Sequence, residues 1–143
     1  MRREYPDAPI VTVGLIVRKG DQVLIIRRGK EPNKGRWTIP GGAVELGEPL
    51  REAGRREIAE ECGIDVTVGK VAEVLENIVR DSDGRARYHY VIIDFLADYV
   101  SGDVRPATDV DDARWVSKAD LKRFDITERA LWLLRDVLDQ FGA

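Results

Sequence analysis

The period of the apolar positions changes several times along the chain, and each change predicts an element. Residues 10–17 form a β-branched, apolar run, Lys19-Gly20-Asp21 makes a turn, and residues 23–26 begin a second strand. Residues 29–36 read as a loop leading into Trp37-Thr38-Ile39-Pro40-Gly41-Gly42. Between 49 and 62 the period becomes helical: Leu50, Ala53, Ile58 and Cys62 make one apolar stripe. Pro49 fits the first helical position, where its missing N–H costs nothing. Gly63 fits the left-handed residue after the helix end, and Ile64 can fold back onto the last turn.

Residues 66–79 contain strand-like stretches that end at Asp81-Ser82-Asp83-Gly84, a hairpin turn. Residues 88–99 predict a long strand, apolar on both faces in its middle and so covered on both sides. Residues 114–116 read as a short strand, 117–120 as a helix start, and 127–141 as a C-terminal helix. Strands mixed with two main helices imply an α/β sandwich. No repeat or linker divides the chain, and 143 residues suit one domain spanning 1–143.

Composition narrows the class. Apolar residues make up 43% and charged residues 34%, which suits a globular chain and not a disordered one. A net charge of −3 argues against broad binding to nucleic-acid backbones. The single cysteine, Cys62, excludes an internal disulfide framework, points to a reducing compartment, and reads as a small buried apolar residue. No apolar run approaches the roughly 20 residues needed to span a membrane. Residues 1–6 lack the apolar core of a signal peptide, so a cytoplasmic enzyme is the expectation.

The chemistry concentrates in residues 42–64. Gly42, Glu48, Arg56, Glu57, Glu60, Glu61 and Gly63 follow the spacing G-x5-E-x7-R-E-U-x-E-E-x-G-U, where Ile58 and Ile64 fill the aliphatic positions U. Glu57, Glu60 and Glu61 crowd one side of the last helical turns, where like charges repel by a few tenths of a kcal/mol per pair. They also lie near the negative end of the helix dipole. Local stability disfavours both features. A hard divalent cation would reverse the sign of both, since Mg²⁺ takes oxygen ligands and keeps waters and phosphates. An acidic run of this kind alone would more often be a solvated helix face. The preceding Gly41-Gly42 pair, Glu48 and Arg56 favour the cation. Arg56 suits bidentate ion pairs with Glu48 or Glu60, and Glu48 also has a competing use as a helix N-terminal cap.

This 42–64 pattern resembles the signature of the Nudix hydrolases without a departure. The resemblance implies a Nudix-type α/β/α sandwich, a mixed β-sheet between helices with a loop–helix–loop catalytic box beside it. It implies Mg²⁺, with Mn²⁺ as substitute, held by Glu57, Glu61 and the Gly41 carbonyl, with Glu60 a ligand or close neighbour. It implies metal-assisted pyrophosphate hydrolysis, with the base supplied either by a box glutamate or by an acid in the loop 107–112. Asp109 is the candidate there, although relatives usually carry Glu; the aspartates of this loop could also simply solvate a turn.

Substrate choice must come from outside the box. Trp37-x-x-Pro-Gly-Gly, the strand from Tyr88 and the segment Asp112-Ala113-Arg114-Trp115-Val116 together resemble a short prokaryotic type of ADP-ribose pyrophosphatase. That implies conversion of ADP-ribose to AMP and ribose 5-phosphate. Alternatives are a nucleotide-sanitising hydrolase for 8-oxo-dGTP or other triphosphates, and a non-catalytic nucleotide sensor. Arg27, Arg28, Trp37 and Gly42 are the candidate substrate contacts; Arg27 and Arg28 could instead be a solvated strand end, Arg27 the more so, and Trp37 could stack on adenine or be buried. His89 alternates with Val91 and Ile93 and reads as structural, with Tyr88 and Tyr90 on the opposite face. The expected partner is a small nucleotide, with no nucleic acid and no membrane. A homodimer is a further expectation: Leu131, Trp132, Leu133 and Leu134 exceed what one helix face requires, although they could equally close the core.

Overall fold

The structure is a computed structural model that describes residues 2–31, 33–107 and 109–140, with the side chain of Gln140 outside the description. A seven-stranded mixed sheet runs β3-β2-β1-β6-β5, with β4 also paired to β1 and β7 to β2. The strands are β1 (Ile10–Lys19), β2 (Gln22–Arg28), β3 (Trp37–Thr38), β4 (Gly41–Ala43), β5 (Asp65–Arg80), β6 (Ala86–Ser101) and β7 (Val110–Ser117). Helix α1 (Leu50–Cys62) covers one face and α2 (Glu128–Gln140) the other, which gives the α/β/α sandwich. Phe141, expected in the last helix, lies outside the described residues. Among the described residues no helix is long and apolar enough to cross a membrane.

The register of β1 organises the site. It runs parallel to β6 from Ile10↔Tyr90 to Arg18↔Asp98. Its other edge is shared: β2 pairs only at Arg18↔Val23 and Lys19↔Gln22, and β4 pairs at Thr12↔Ala43, Val13↔Gly42 and Gly14↔Gly41. The splay between β1 and β2 therefore admits the Gly41–Ala43 strand into the middle of the sheet. Side chains alternate from β1 into two cores. Val13, Leu15 and Val17 join Ala53, Ile58 and Cys62 of α1, whereas Ile16 joins Ala130, Leu133, Leu134, Val137 and Leu138 of α2.

Helix α1 lies close on the sheet because its buried stripe is small: Ala53, Gly54, Ile58 and Cys62. A Cβ on Gly54 would come within 3.0 Å of Leu15. Full burial of Ile58 contributes roughly 1.5–3 kcal/mol to holding the helix there. The helix begins one residue later than expected, at Leu50, with Pro49 extended (φ −63°, ψ 146°) as its cap. Its other end matches the sequence reading: Gly63 is left-handed (φ 73°), donates to the Ala59 carbonyl at 3.0 Å, and Ile64 is buried. The predicted hairpin turn also forms, with the Asp81 carboxylate accepting the N–H groups of Asp83 and Arg85.

One expectation needs correction, and one open alternative is decided. The stretch of β6 enclosed on both sides is 94–97, displaced towards its end from the apolar middle, because the hairpin of β5 and β6 runs out past α1. Val71, Val74 and Ile78 of β5 are exposed as a result. The surplus apolar residues of α2 close the core: Leu133 and Leu134 are buried and Leu131 packs against them, leaving Trp132 at 57% exposure.

One buried charge was not foreseen. Asp94 is fully buried on β6; its Oδ2 accepts from Arg129 of α2 at 2.5 Å, while Oδ1 has no hydrogen-bond partner among the described residues. Burial pushes its carboxyl above the ordinary range, opposed by the charge of Arg129. Oδ1 occupies the space that a side chain on Gly14 would need, 2.1 Å from the ideal Cβ position. The pair ties the start of α2 to the central strands, with Asp94 opposite Gly14 and Gly14 opposite Gly41.

Candidate active site

The loop between β4 and α1 and the last turns of α1 converge on one corner. Arg56 is its hub. Its Nε and Nη2 donate to the two Glu48 carboxylate oxygens at 2.7 and 3.0 Å, Nη2 also reaches the Ala43 carbonyl at 3.1 Å, and Nη1 donates to Glu57 at 2.9 Å and Glu60 at 3.2 Å. The fork geometry of guanidinium suits such a bidentate grip. The Arg56 pKa is raised chiefly by the Glu48 hydrogen bond, and Glu48 is in turn held below the usual carboxylate range chiefly by Arg56. Glu48 caps no helix N–H. Its Oε1 instead accepts the N–H of Glu45 at 3.1 Å, closing the loop, because Pro49 leaves the helix start without a side-chain cap.

Glu57 and Glu61 face inward. The Glu57 carboxylate lies against Gly42, where a Cβ would meet its atoms at 2.4–2.6 Å, so only glycine admits it. Gly41 has φ 158°, and a Cβ there would lie 2.0 Å from the Val13 carbonyl oxygen. That glycine donates its N–H to Glu61 Oε1 at 2.9 Å. Burial raises the Glu61 carboxyl to about 8; the Gly41 bond opposes this, Glu57 adds to it, Arg28 opposes it and Asp109 adds to it. Burial likewise raises Glu57, opposed by Arg56. Two carboxylates that burial renders reluctant to ionise, both lying against one glycine-lined strand, are a donor set suited to a hard divalent cation.

Glu60 stands differently. Its side chain is 60% exposed and turned to Arg56. Among the described residues no three carboxylate, imidazole or thiolate groups yet enclose a common point. Two inward acids and a third at the rim are what the helix supplies, because residues three and four apart share a side but not one direction.

The flanking candidates divide between the two faces. Arg28 and Asp109 lie near enough to Glu61 for their charges to act on it. Arg27 stacks instead over Trp37, 5.7 Å from its ring centre, on the α2 side. Trp37 is 8% exposed with its ring edge-on to Phe124, so it is a core residue and offers no open stacking surface. Tyr88 and Tyr90 stack on each other, partly buried, and His89 is partly buried opposite Ile78. The loop before β7 is stitched to α1: the N–H groups of Ala107 and Arg105 donate to the terminal carbonyls of Glu61 and Cys62 at 2.9 and 2.8 Å. Thr108 in that loop lies outside the described residues. Sequence reasoning missed Lys30, whose Nζ lies 2.8 Å from Asp109 Oδ1. No local pattern signals a pairing between two loops so far apart in the chain.

Comparison with known proteins bears on this geometry. Residues 8–137 match the NUDIX domain. An ADP-ribose pyrophosphatase of Methanocaldococcus jannaschii is 36% identical over 107 residues, which is 75% of this chain and 61% of that protein. A NUDIX hydrolase from Nitrosomonas europaea has the same fold, with TM-score 0.79 at 23% identity over 96% of this chain and 74% of that one. A MutT NUDIX hydrolase from Burkholderia pseudomallei gives TM-score 0.75 at 27% identity, over 92% of this chain and 99% of that one. The chain spans less than two thirds of the length of the first curated relatives it matches, 61% and 58%.

Proposed function

The chain belongs to the NUDIX domain family, and from that premise we propose that it hydrolyses the pyrophosphate bond of a nucleoside diphosphate linked to another moiety. The first candidate substrate is ADP-ribose, cleaved with water to AMP and ribose 5-phosphate; the M. jannaschii relative carries that activity in its name. The observation that carries the reading is the inward pair Glu57 and Glu61 against Gly42 and Gly41, braced from behind by the Arg56–Glu48 fork.

Glu57, Glu61 and the Gly41 carbonyl would hold Mg²⁺ or Mn²⁺, with Glu60 joining from the rim. When bound, the cation would neutralise charge at the diphosphate and lower the pKa of a bound water towards neutrality. The residues of the chain do the rest. Arg56 fixes the direction of Glu57 and Glu60, and so acts as a positioning residue. Arg28, on the same side as Glu61, offers a cation to the phosphates. Asp109 or Glu57 accepts a proton from the attacking water, whose oxygen bonds to one phosphorus as that phosphorus loses the bridging oxygen, and the other phosphate leaves with that oxygen as the second monophosphate product.

A hydrolysis panel tests the reading: ADP-ribose, 8-oxo-dGTP, ordinary dNTPs, NADH and diadenosine polyphosphates, each with Mg²⁺ or Mn²⁺. ADP-ribose should be turned over fastest. Triphosphates turned over far faster would replace it with the nucleotide-sanitising reading, and binding without any turnover would favour the sensor.

A further inference from the structure

Among the described residues, an ion pair between Lys30 and Asp109, 2.8 Å long, joins the loop after β2 to the loop before β7. Described residues of both loops are bonded around it. The Gly29 N–H donates to the Asp109 carbonyl at 3.2 Å, and a Cβ on Gly29 would lie 2.9 Å from Asp111 Oδ1 and 3.0 Å from the Asp109 oxygen. The second loop is bonded to the α1 end, where the Ala107 N–H donates to the Glu61 carbonyl at 2.9 Å, and the Val110 N–H just past Asp109 donates to the Ala107 carbonyl at 3.1 Å.

The pair itself is loosely held. Its side chains are 68% and 63% exposed, and exposed ion pairs add little to stability. Lysine ends in a compact ammonium on a flexible stem, which can move a few ångströms without disturbing its backbone. The corner is otherwise rich in carboxylates, with Glu57, Glu60, Glu61, Asp109 and Asp111 all nearby or on its rim. A diphosphate entering such a corner carries more negative charge than one aspartate, and the ammonium beside Asp109 is positioned to exchange one for the other.

On the reading of the site as one for diphosphates, we propose that Lys30 contacts a substrate phosphate, and that Asp109 holds its ammonium until that anion arrives. The exchange leaves the Asp109 carboxylate unpaired only when substrate is seated, which couples its availability to occupancy. Lys30 is thereby a binding residue, and Asp109 a competitor for it in the free protein.

The test is calorimetric titration of the full chain with α,β-methylene-ADP, a non-hydrolysable nucleoside diphosphate, in Mg²⁺. Lys30→Met should weaken binding about tenfold, the loss of one charge-assisted contact, and Lys30→Arg should largely restore it. Thermal unfolding of Lys30→Met should be unchanged. Asp109→Asn separates the exchange from any effect on the metal when measured with and without Lys30. Its effect on affinity should be more favourable, by about threefold, in the presence of Lys30 than in the Lys30→Met background. Equal effects in both backgrounds, or wild-type affinity in Lys30→Met, would overturn the proposal. Wild-type protein that binds no analogue would overturn the diphosphate reading itself, which is a distinct result.

Discussion

Replacing Glu61 by Gln should make the metal-free protein more stable at alkaline pH. Glu61 titrates near 8 in the folded chain against 4.5 for an ordinary glutamate, chiefly because it is buried. The folded pKa is the higher one, so this group's favourable contribution is complete below 4.5 and lost as pH rises through 8. At about 1.36 kcal/mol per pH unit the gap corresponds to a ceiling of about 5 kcal/mol. Solvent reaching the half-open corner reduces it to roughly 2–4 kcal/mol. Gln removes the ionisation, and its Oε1 can still accept the Gly41 N–H. In EDTA, the two proteins should unfold at similar temperatures near pH 5 and separate by about 5–12 °C at pH 9, with the variant higher. Millimolar Mg²⁺ should raise the wild type at pH 9 and leave the variant unmoved. Parallel pH profiles in EDTA would refute the burial argument, and an equal Mg²⁺ response would refute the assignment of Glu61 to the metal.

Two other substitutions probe the backbone around the corner. Gly42→Ala drives a methyl group into the Glu57 carboxylate, 2.4–2.6 Å from the ideal Cβ, so Glu57 must swing away while the fold remains. Its kcat/KM on the best substrate of the panel should fall about 100-fold with Tm nearly unchanged, the expected cost of misplacing one group by about an ångström. Gly14→Ala meets the buried Asp94 Oδ1 at 2.1 Å. It should destabilise the protein by about 1–3 kcal/mol in urea titrations, and an unchanged midpoint would show that the Asp94–Arg129 pair can move aside.

The site was legible where its chemistry is local. Gly42, Glu48, Arg56, Glu57, Glu60 and Glu61 lie on one loop and one helix, so spacing alone places them on a common side. Even there, direction was not legible: Glu57 and Glu61 turn inward and Glu60 to the rim, because the sheet lies against one flank of the helix. Arg27 and Arg28 are neighbours in sequence, and spacing alone does not say which of them reaches the acids. Successive side chains of a strand leave opposite faces, and only the layering shows which face holds the acids. Trp37 could be read as stacking surface or core until Phe124 and α2 closed over it.

By itself the sequence determined the helix, its left-handed glycine end, the hairpin turn and the acid pattern, all interactions between residues a few positions apart. The tertiary structure decided what those acids meet. Parallel pairing of β1 with β6 and the splay from β2 admit Gly41 and Gly42 beside α1, which no local spacing specifies. The Asp94–Arg129 and Lys30–Asp109 pairs arise in the same way. Each joins elements far apart in the chain, and only the closure of the sheet and its layers fixes their distance.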